Sequence, residues 1–412
     1  MPLSTAGGTG AHAQSLGWID DRLGGMPDEL LRLSNINSGS FNPAGVDACA
    51  ARMAERFAPL GAQAESIAVA PYAYTDERGQ WRERALGHAL RLRKRPQAPL
   101  RVFLCGHLDT VFGPDHPFQQ ARTDGADRLH GPGVADLKGG LLVLWLALGA
   151  LEQSPHRERI GWEVLLNPDE EIGSAGSAPL LAQAAQRNHL GLVYEPAYPD
   201  GGLASERKGS GNFDVVVRGR AAHAGRNPEQ GRNAISAAAR LAGELHALNG
   251  RREGLTLNLG YVHGGGSLNI VPDLCVLKFN VRTAHADDEA WLLQALRQAI
   301  EAANRADGYA LELRGGFTRP PKPVSPGTAR LQGLLRDCGA ALGLALQFRP
   351  TGGCCDGNNL AALGLANVDN LGVVGGELHA PGEWMRVSSI GERARLSALL
   401  LLRLASGELD WA

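Results

Sequence analysis

Apolar residues in this chain gather into runs of two lengths, broken by glycine, proline and charge. Residues 100–106, 160–167 and 189–195 are short and nearly continuously apolar, as buried strands are. Residues 137–153 and 177–186 are longer and predict helices, the first with a strongly apolar body. Such alternation predicts an α/β sheet with helices packed on its faces. The most apolar run, 141–151, is too short to span a bilayer and suits a buried helix. In open α/β sheets, chemistry collects beyond the carboxyl ends of the strands.

The pattern changes after Gly211. Residues 213–218 predict a strand, 228–248 an Ala-rich helix, 256–262 and 275–282 strands, 287–305 a helix and 309–313 a strand. The order β-α-β-β-α-β matches a ferredoxin-like split unit. Arg319-Pro320-Pro321-Lys322-Pro323 then breaks the pattern, and helix and strand signals resume from Thr328. The economical reading is one domain, 1–207 plus 318–412, carrying a second, 208–317, inserted within it.

A length of 412 residues agrees with more than one folded unit. With 44% hydrophobic and 20% charged residues the composition is that of a soluble globular protein. Lys plus Arg number 41 against 43 Asp plus Glu, so there is no basic field to attract nucleic acid. Met1 to Gln14 carries no basic segment followed by an apolar one, so no secretory signal and no membrane anchor is expected. Six scattered cysteines form neither a disulfide framework nor a CxxC zinc pair, which fits a reducing cytoplasm.

Five short motifs carry candidate chemistry. Gly106-His107-Leu108-Asp109-Thr110 follows the first apolar run, and residues two apart on extended backbone share a face. A carboxylate beside a ligating histidine commonly orients its ring. Asp136 sits among glycines, in Gly133-Val134-Ala135-Asp136-Leu137-Lys138-Gly139-Gly140, either as a helix cap or as an acid held in a constrained loop. Asp169-Glu170-Glu171 follows the second run; three acids in a row are either a solvated patch or a ligand beside a proton-moving neighbour. Tyr194-Glu195-Pro196 closes the third run, and Leu378-His379-Ala380-Pro381 follows a glycine pair. Together these give two histidines and several carboxylates, an N/O donor set that suits zinc, cobalt or manganese and not a thiolate structural site.

From about Leu30 to the C-terminus the sequence resembles the dinuclear zinc hydrolases that include acetylornithine deacetylase, succinyl-diaminopimelate desuccinylase and glutamate carboxypeptidase. His107-Leu108-Asp109-Thr110-Val111, Gly133 to Gly140 and Asp169-Glu170-Glu171-Ile172-Gly173-Ser174 are similar to the three core signatures of that family. The resemblance implies a mixed-sheet, zinc-exopeptidase-like catalytic domain with an inserted ferredoxin-like α+β dimerisation domain. It implies that Asp136 bridges two Zn2+ ions through a cis Asp136–Leu137 peptide. His107 and Glu195 would complete one site, and Glu171 and His379 the other. Glu170 would be the general base and Asp109 the orienting partner of His107. In a homodimer, His223 of the partner subunit would polarise the scissile carbonyl. Asn269 and Arg282 would hold the substrate carboxylate, and the backbone of Gly353 would line its site. Read without the family, Arg282 is an ordinary solvated charge.

The implied reaction is hydrolysis of an amide or peptide bond next to a free carboxylate. A zinc-bound hydroxide would attack while Glu170 moves the proton, as in a glutamate carboxypeptidase or an N-acyl-amino-acid deacylase. The substrate would be an N-acyl amino acid or a short peptide. Alternatives are a dipeptidase or a biosynthetic N-acetyl or N-succinyl deacylase on the same scaffold, a non-catalytic metal-binding homologue, and a hydrolase with a Cys354 or Cys355 nucleophile. Gly352-Gly353-Cys354-Cys355-Asp356-Gly357 departs from the family pattern, Gly-Gly-Ser-Asp-Ala, at its vicinal cysteines. As free thiols these fit best as small core residues.

Overall fold

In the computed structural model, which describes residues 9–305 and 308–411, the three apolar runs of the first half lie side by side. The first eight residues of the N-terminal segment read above lie outside the described residues. Leu100–His107 is flanked in parallel by Ile160–Asn167 on one side and Leu190–Val193 on the other. Ala89–Lys94 and Gln63–Ile67 extend the sheet antiparallel, and Asn367–Val368 closes its far edge in parallel. The result is a six-stranded mixed sheet in which four parallel strands end at one edge.

The helix Gly140–Glu152 packs between Ser389–Ser406 and Ala13–Leu23. It is apolar all round because it meets protein all round. Val134–Glu152 has the length and hydropathy of a membrane span, yet the stretch is buried inside the protein. The sequence pattern starts this helix at Leu137. In the structure it starts at Gly140, behind a kinked turn, Val134–Gly139, that carries Asp136.

A second, four-stranded antiparallel sheet holds Thr256–Gly264, Leu274–Thr283, Gly209–Arg218 and Ala310–Arg319, in that spatial order. With helices Ala234–His246 and Ala286–Asn304 it has ferredoxin-like topology. Phe213, Val215, Val217, Leu277, Phe279 and Val281 form its own core with the helices. The alternate positions, Asn212, Asp214, Lys278, Asn280 and Arg282, face the other way. Two expectations need correction here. The helix predicted from Pro228 starts only at Ala234, where the Asn233 side chain accepts from Ser236 N at 2.9 Å and caps it. The strand predicted to end at Leu313 runs on to Arg319, because Gly209–Arg218 offers a pairing partner along that length.

The chain enters and leaves this second sheet through two segments that pair with each other. Arg207 N donates to Lys322 O at 3.0 Å and Lys322 N to Arg207 O at 2.9 Å. Both side chains end on one buried acid. Arg207 meets both oxygens of Asp369 at 2.9 Å, and Lys322 Nζ lies 2.6 Å from Oδ2.

Candidate metal centre

The candidate residues stand on turns that leave the large sheet at its carboxyl edge. His107 closes one strand and Asn167, its cross-strand partner, closes the next. Asp169 accepts from Gly176 N at 2.7 Å and Ser177 Oγ at 2.5 Å, which ties down the turn Glu170–Ile172. Glu195 lies just beyond Leu190–Val193. The loop that brings in Asp136 needs its glycines. Gly133 has a φ of 70°, and a Cβ there would meet Thr110 Cγ2 at 2.8 Å. At Gly140 a Cβ would come within 2.3 Å of Tyr194 O, so only glycine lets the helix start against the strand end that carries Glu195. The Asp136–Leu137 peptide is cis.

Asp136 lies between two histidines. Its Oδ1 is 3.1 Å from His107 Nε2 and its Oδ2 is 3.3 Å from His379 Nε2. His379 Nε2 is also 3.1 Å from Glu171 Oε2. Donor atoms of His107, Asp136 and Glu171 all lie within 4.8 Å of one another. Behind His107, Nδ1 faces Asp109, with the main-chain O at 2.9 Å and carboxylate Oδ1 at 3.4 Å. The Asp109 carboxylate accepts from Ser40 Oγ at 2.7 Å and from the N–H groups of Glu170 and Glu171 at 3.1 and 3.2 Å. One buried acid therefore backs a histidine and fixes the turn that presents two glutamates. Those glutamates diverge: Glu171 meets His379, while Glu170 Oε1 lies 2.8 Å from Arg319 Nη2.

The electrostatics are those of a cation site. Burial, then the charges of Glu170 and Asp136, pushes the Glu195 carboxyl well above its ordinary range. Burial and Asp136 raise Glu171. Burial raises Glu170 to about 8, against the pull of the Arg319 guanidinium. Asp136 goes the other way, because hydrogen bonds to His107 and His379 outweigh its burial and hold it low. In return, hydrogen bonds to Asp136 and Glu171 raise His379 to about 11. The acids draw positive charge onto both imidazoles, and crowded buried carboxylates are stable only with such charge among them. The donors are imidazole nitrogen and carboxylate oxygen with no thiolate, and Asp109 backs a histidine as outer partners of metal ligands do. The set fits zinc or a similar divalent ion.

The residues expected to hold substrate lie on the second sheet and on the loop facing it. Arg282 Nη1 donates to Cys354 Sγ at 2.8 Å, and Cys354 lies 3.9 Å from Arg319 Nη1, so Arg282 is three contacts from Glu170, by way of Cys354 and Arg319. Gly353 O accepts from Arg207 Nη1 at 3.3 Å. His223 and Asn269 are exposed together, bridged by Ala224 N donating to Asn269 O at 2.9 Å. Among the described residues, no hydrogen bond or ion pair joins His223 to the acids. Its Nδ1 accepts from Gly225 N and Arg226 N, both at 3.1 Å, so the neutral ring carries its proton on Nε2. Cys355 is buried and Cys354 half-buried, and all six cysteines are free. A cleft of about 620 Å³ opens beside the centre, reaching from Ile172, Thr318 and Asn280 to the aromatic rims of Tyr72, Tyr74 and Trp81.

Three residues at the centre escaped the sequence reading. Arg319 opens the Pro-rich stretch that reads only as a break, yet Nη2 also donates to Glu170 O at 2.7 Å and Ser174 Oγ at 2.9 Å. Asp356 accepts from Asn167 Nδ2 at 2.6 Å and Ser174 Oγ at 2.5 Å, beneath the Glu170 turn. Glu383 reaches the Asp136 loop. Arg319 and Glu383 are lone charges whose partners are far away along the chain, with no local pattern to mark them; Asp356 stands in the Gly352–Gly357 motif, where the cysteines drew the reading instead.

Clustered imidazoles and carboxylates on the strand ends of a mixed sheet define a metal-dependent hydrolase. Residues 205–308 match the peptidase dimerisation domain of the M20 family. The chain is 30% identical over 319 residues to carboxypeptidase G2 of Pseudomonas sp. (strain RS-16), covering 74% of each. It is 28% identical over 401 residues to a succinyl-diaminopimelate desuccinylase of Alkalilimnicola ehrlichii, covering 91% of this chain and 99% of that one. An M20 family metallo-carboxypeptidase from Sulfolobus solfataricus shares the fold, with a TM-score of 0.71 at 16% identity, over 92% of this chain and 98% of that one. The chain belongs to the M20 family of metallopeptidases.

Proposed function

We propose that this protein hydrolyses the amide bond of an N-acyl amino acid or short peptide whose amide nitrogen carries a carboxylate-bearing residue. The observation that carries this reading is the Asp136 carboxylate, one oxygen on His107 and the other on His379. It supports a bridging role between two zinc ions, one completed by Glu195 and the other by Glu171; cobalt or manganese suits the same donors. Ions held there would supply Lewis acidity and water acidified towards neutral pH. Glu170, unclaimed by either histidine, takes the proton of the attacking water and passes it to the leaving nitrogen. Arg282 and Asn269 grip the carboxylate, for which the guanidinium fork is suited, and Gly353 lines the site through its backbone.

Residues 208–317 act as an inserted dimerisation unit on a catalytic domain formed by 1–207 and 318–412. A homodimer is favoured by the outer edge of Thr256–Gly264, open among the described residues, with Val262, Leu268 and Ile270 exposed beside it. In the dimer, the Nε2 proton of His223 hydrogen-bonds to the carbonyl oxygen of a substrate held by the other subunit. Six free thiols suit a reducing cytoplasm.

A panel of N-acyl amino acids and dipeptides, read by released amine, tests this reading. Expected are turnover of acyl-glutamate or acyl-aspartate, loss of activity on chelation and its return with zinc. A preference for N-acetyl or N-succinyl diamino acids would move the enzyme to the biosynthetic deacylases. Activity that resists chelation would overturn the metal-dependent reading.

A further inference from the structure

Glu383 is 1% exposed, and among the described residues no guanidinium, ammonium or imidazole lies within ion-pair distance of it. A buried carboxylate without a cation is costly unless hydrogen bonds replace the water it lost. Here three main-chain N–H groups do so. Oε1 accepts from Ala135 N at 2.9 Å and Asp136 N at 3.0 Å, and Oε2 accepts from Gly133 N at 3.1 Å. These are three donors of the loop that presents Asp136, and the one between them, Val134 N, donates to Gly131 O. Charge-assisted hydrogen bonds of this kind are about twice as strong as neutral ones.

The backbone of Glu383 belongs to a different ligand. His379 stands four residues earlier, at a φ of 61°, and Glu377 at 53° begins the same turn. Left-handed backbone at non-glycine residues persists only where the surroundings enforce it. The turn closes through Ala380 O, which accepts from Glu383 N at 3.0 Å. On its other side, Trp384 pairs with His130 next to the glycine loop, and Glu383 O accepts from Gly131 N at 3.1 Å. One residue therefore grips the Asp136 loop with its side chain while its main chain anchors the His379 turn.

We propose that Glu383 is a positioning residue that sets Asp136 against His379 and so forms the ion site made by Asp136, Glu171 and His379. This rests on the two-ion reading above. The site of His107 and Glu195 depends on Glu383 less, because those ligands stand on sheet strands and His107 is backed by Asp109. An isosteric amide cannot replace the carboxylate. Either orientation of a glutamine would aim an N–H group at one or two of the three N–H donors.

The test is titration of metal-free protein with Co2+, followed by calorimetry and by visible absorption, on the wild type and Glu383→Gln. Expected is a wild type that binds two ions and a variant that binds the first unchanged and the second about 10- to 100-fold more weakly. An altered cobalt spectrum would accompany this, and kcat would fall with little change in KM. Two ions bound as in the wild type with the same spectrum, and only a lower Tm, would overturn the proposal and leave the two-ion reading standing. A wild type that binds one ion would overturn both. If Glu383→Gln does not fold, Glu383→Asp serves, keeping the charge one carbon short. It should weaken the second ion by an intermediate factor, and unchanged affinity there overturns the proposal.

Discussion

Glu170→Ala is expected to yield a folded protein with its full metal complement and turnover lowered about 10²- to 10⁴-fold, the usual contribution of a positioned general base. The two adjacent glutamates separate these outcomes. Glu171 faces His379 and Asp136, whereas Glu170 faces Arg319. Removing the Glu170 carboxylate leaves Arg319 its bonds to Glu170 O and Ser174 Oγ, with Asp356 Oδ1 at 3.7 Å, so no buried cation is stranded. Asp109 binds the main chain of this turn and not its side chains, so the turn itself survives. Metal analysis together with kcat decides it. A variant that binds metal and still turns over at the wild-type rate would remove Glu170 from the mechanism, and one that loses metal would make it a ligand.

The largest loss of stability is expected from Asp369→Ala, about 3–5 kcal/mol in urea unfolding, because it leaves Arg207 and Lys322 buried without their shared acid. Burial alone would raise the Asp369 carboxyl, but the two cations outweigh it and hold the group down at about 2. That lies below the value of about 3.9 for an unfolded aspartate. The cluster's contribution, about 3 kcal/mol, is therefore fully present above pH ~4 and lost as pH falls through about 2. Asp369→Asn should accordingly cost most at neutral pH and draw level with the wild type in acid. A variant whose deficit stays constant from pH 7 to pH 2 would show that packing, not charge, is what Asp369 supplies.

How much could be read in the sequence follows from how local each signal is. Leu100–His107 and Ile160–Asn167 are buried on both faces, so their apolar runs stand out, and ligands placed at their ends inherit that clarity. The antiparallel edge was illegible because Gln63–Ile67 is mostly exposed and reads Gln-Ala-Glu-Ser-Ile. The residues of the Asp136 turn left a helix cap and a constrained loop open, because glycines and an acid suit both, and the packing of Gly140 against Tyr194 O separates them. Arg319 and Glu383 could not be found, since what distinguishes them is the distant group each one meets, whereas Asp356 lay in a motif read only for its cysteines.

Arg207 and Lys322 form a bridged pair at the root of the second sheet. Seen from the large sheet, everything between them is a detour that departs and returns at a single point. Lengthening a loop whose ends already meet adds entropy only slowly. Arg319, at the end of its last strand, is the part of that detour that holds the Glu170 turn. With Arg319 kept, the rest can be remodelled to suit a different substrate or a different subunit contact while the ligands stay where they are.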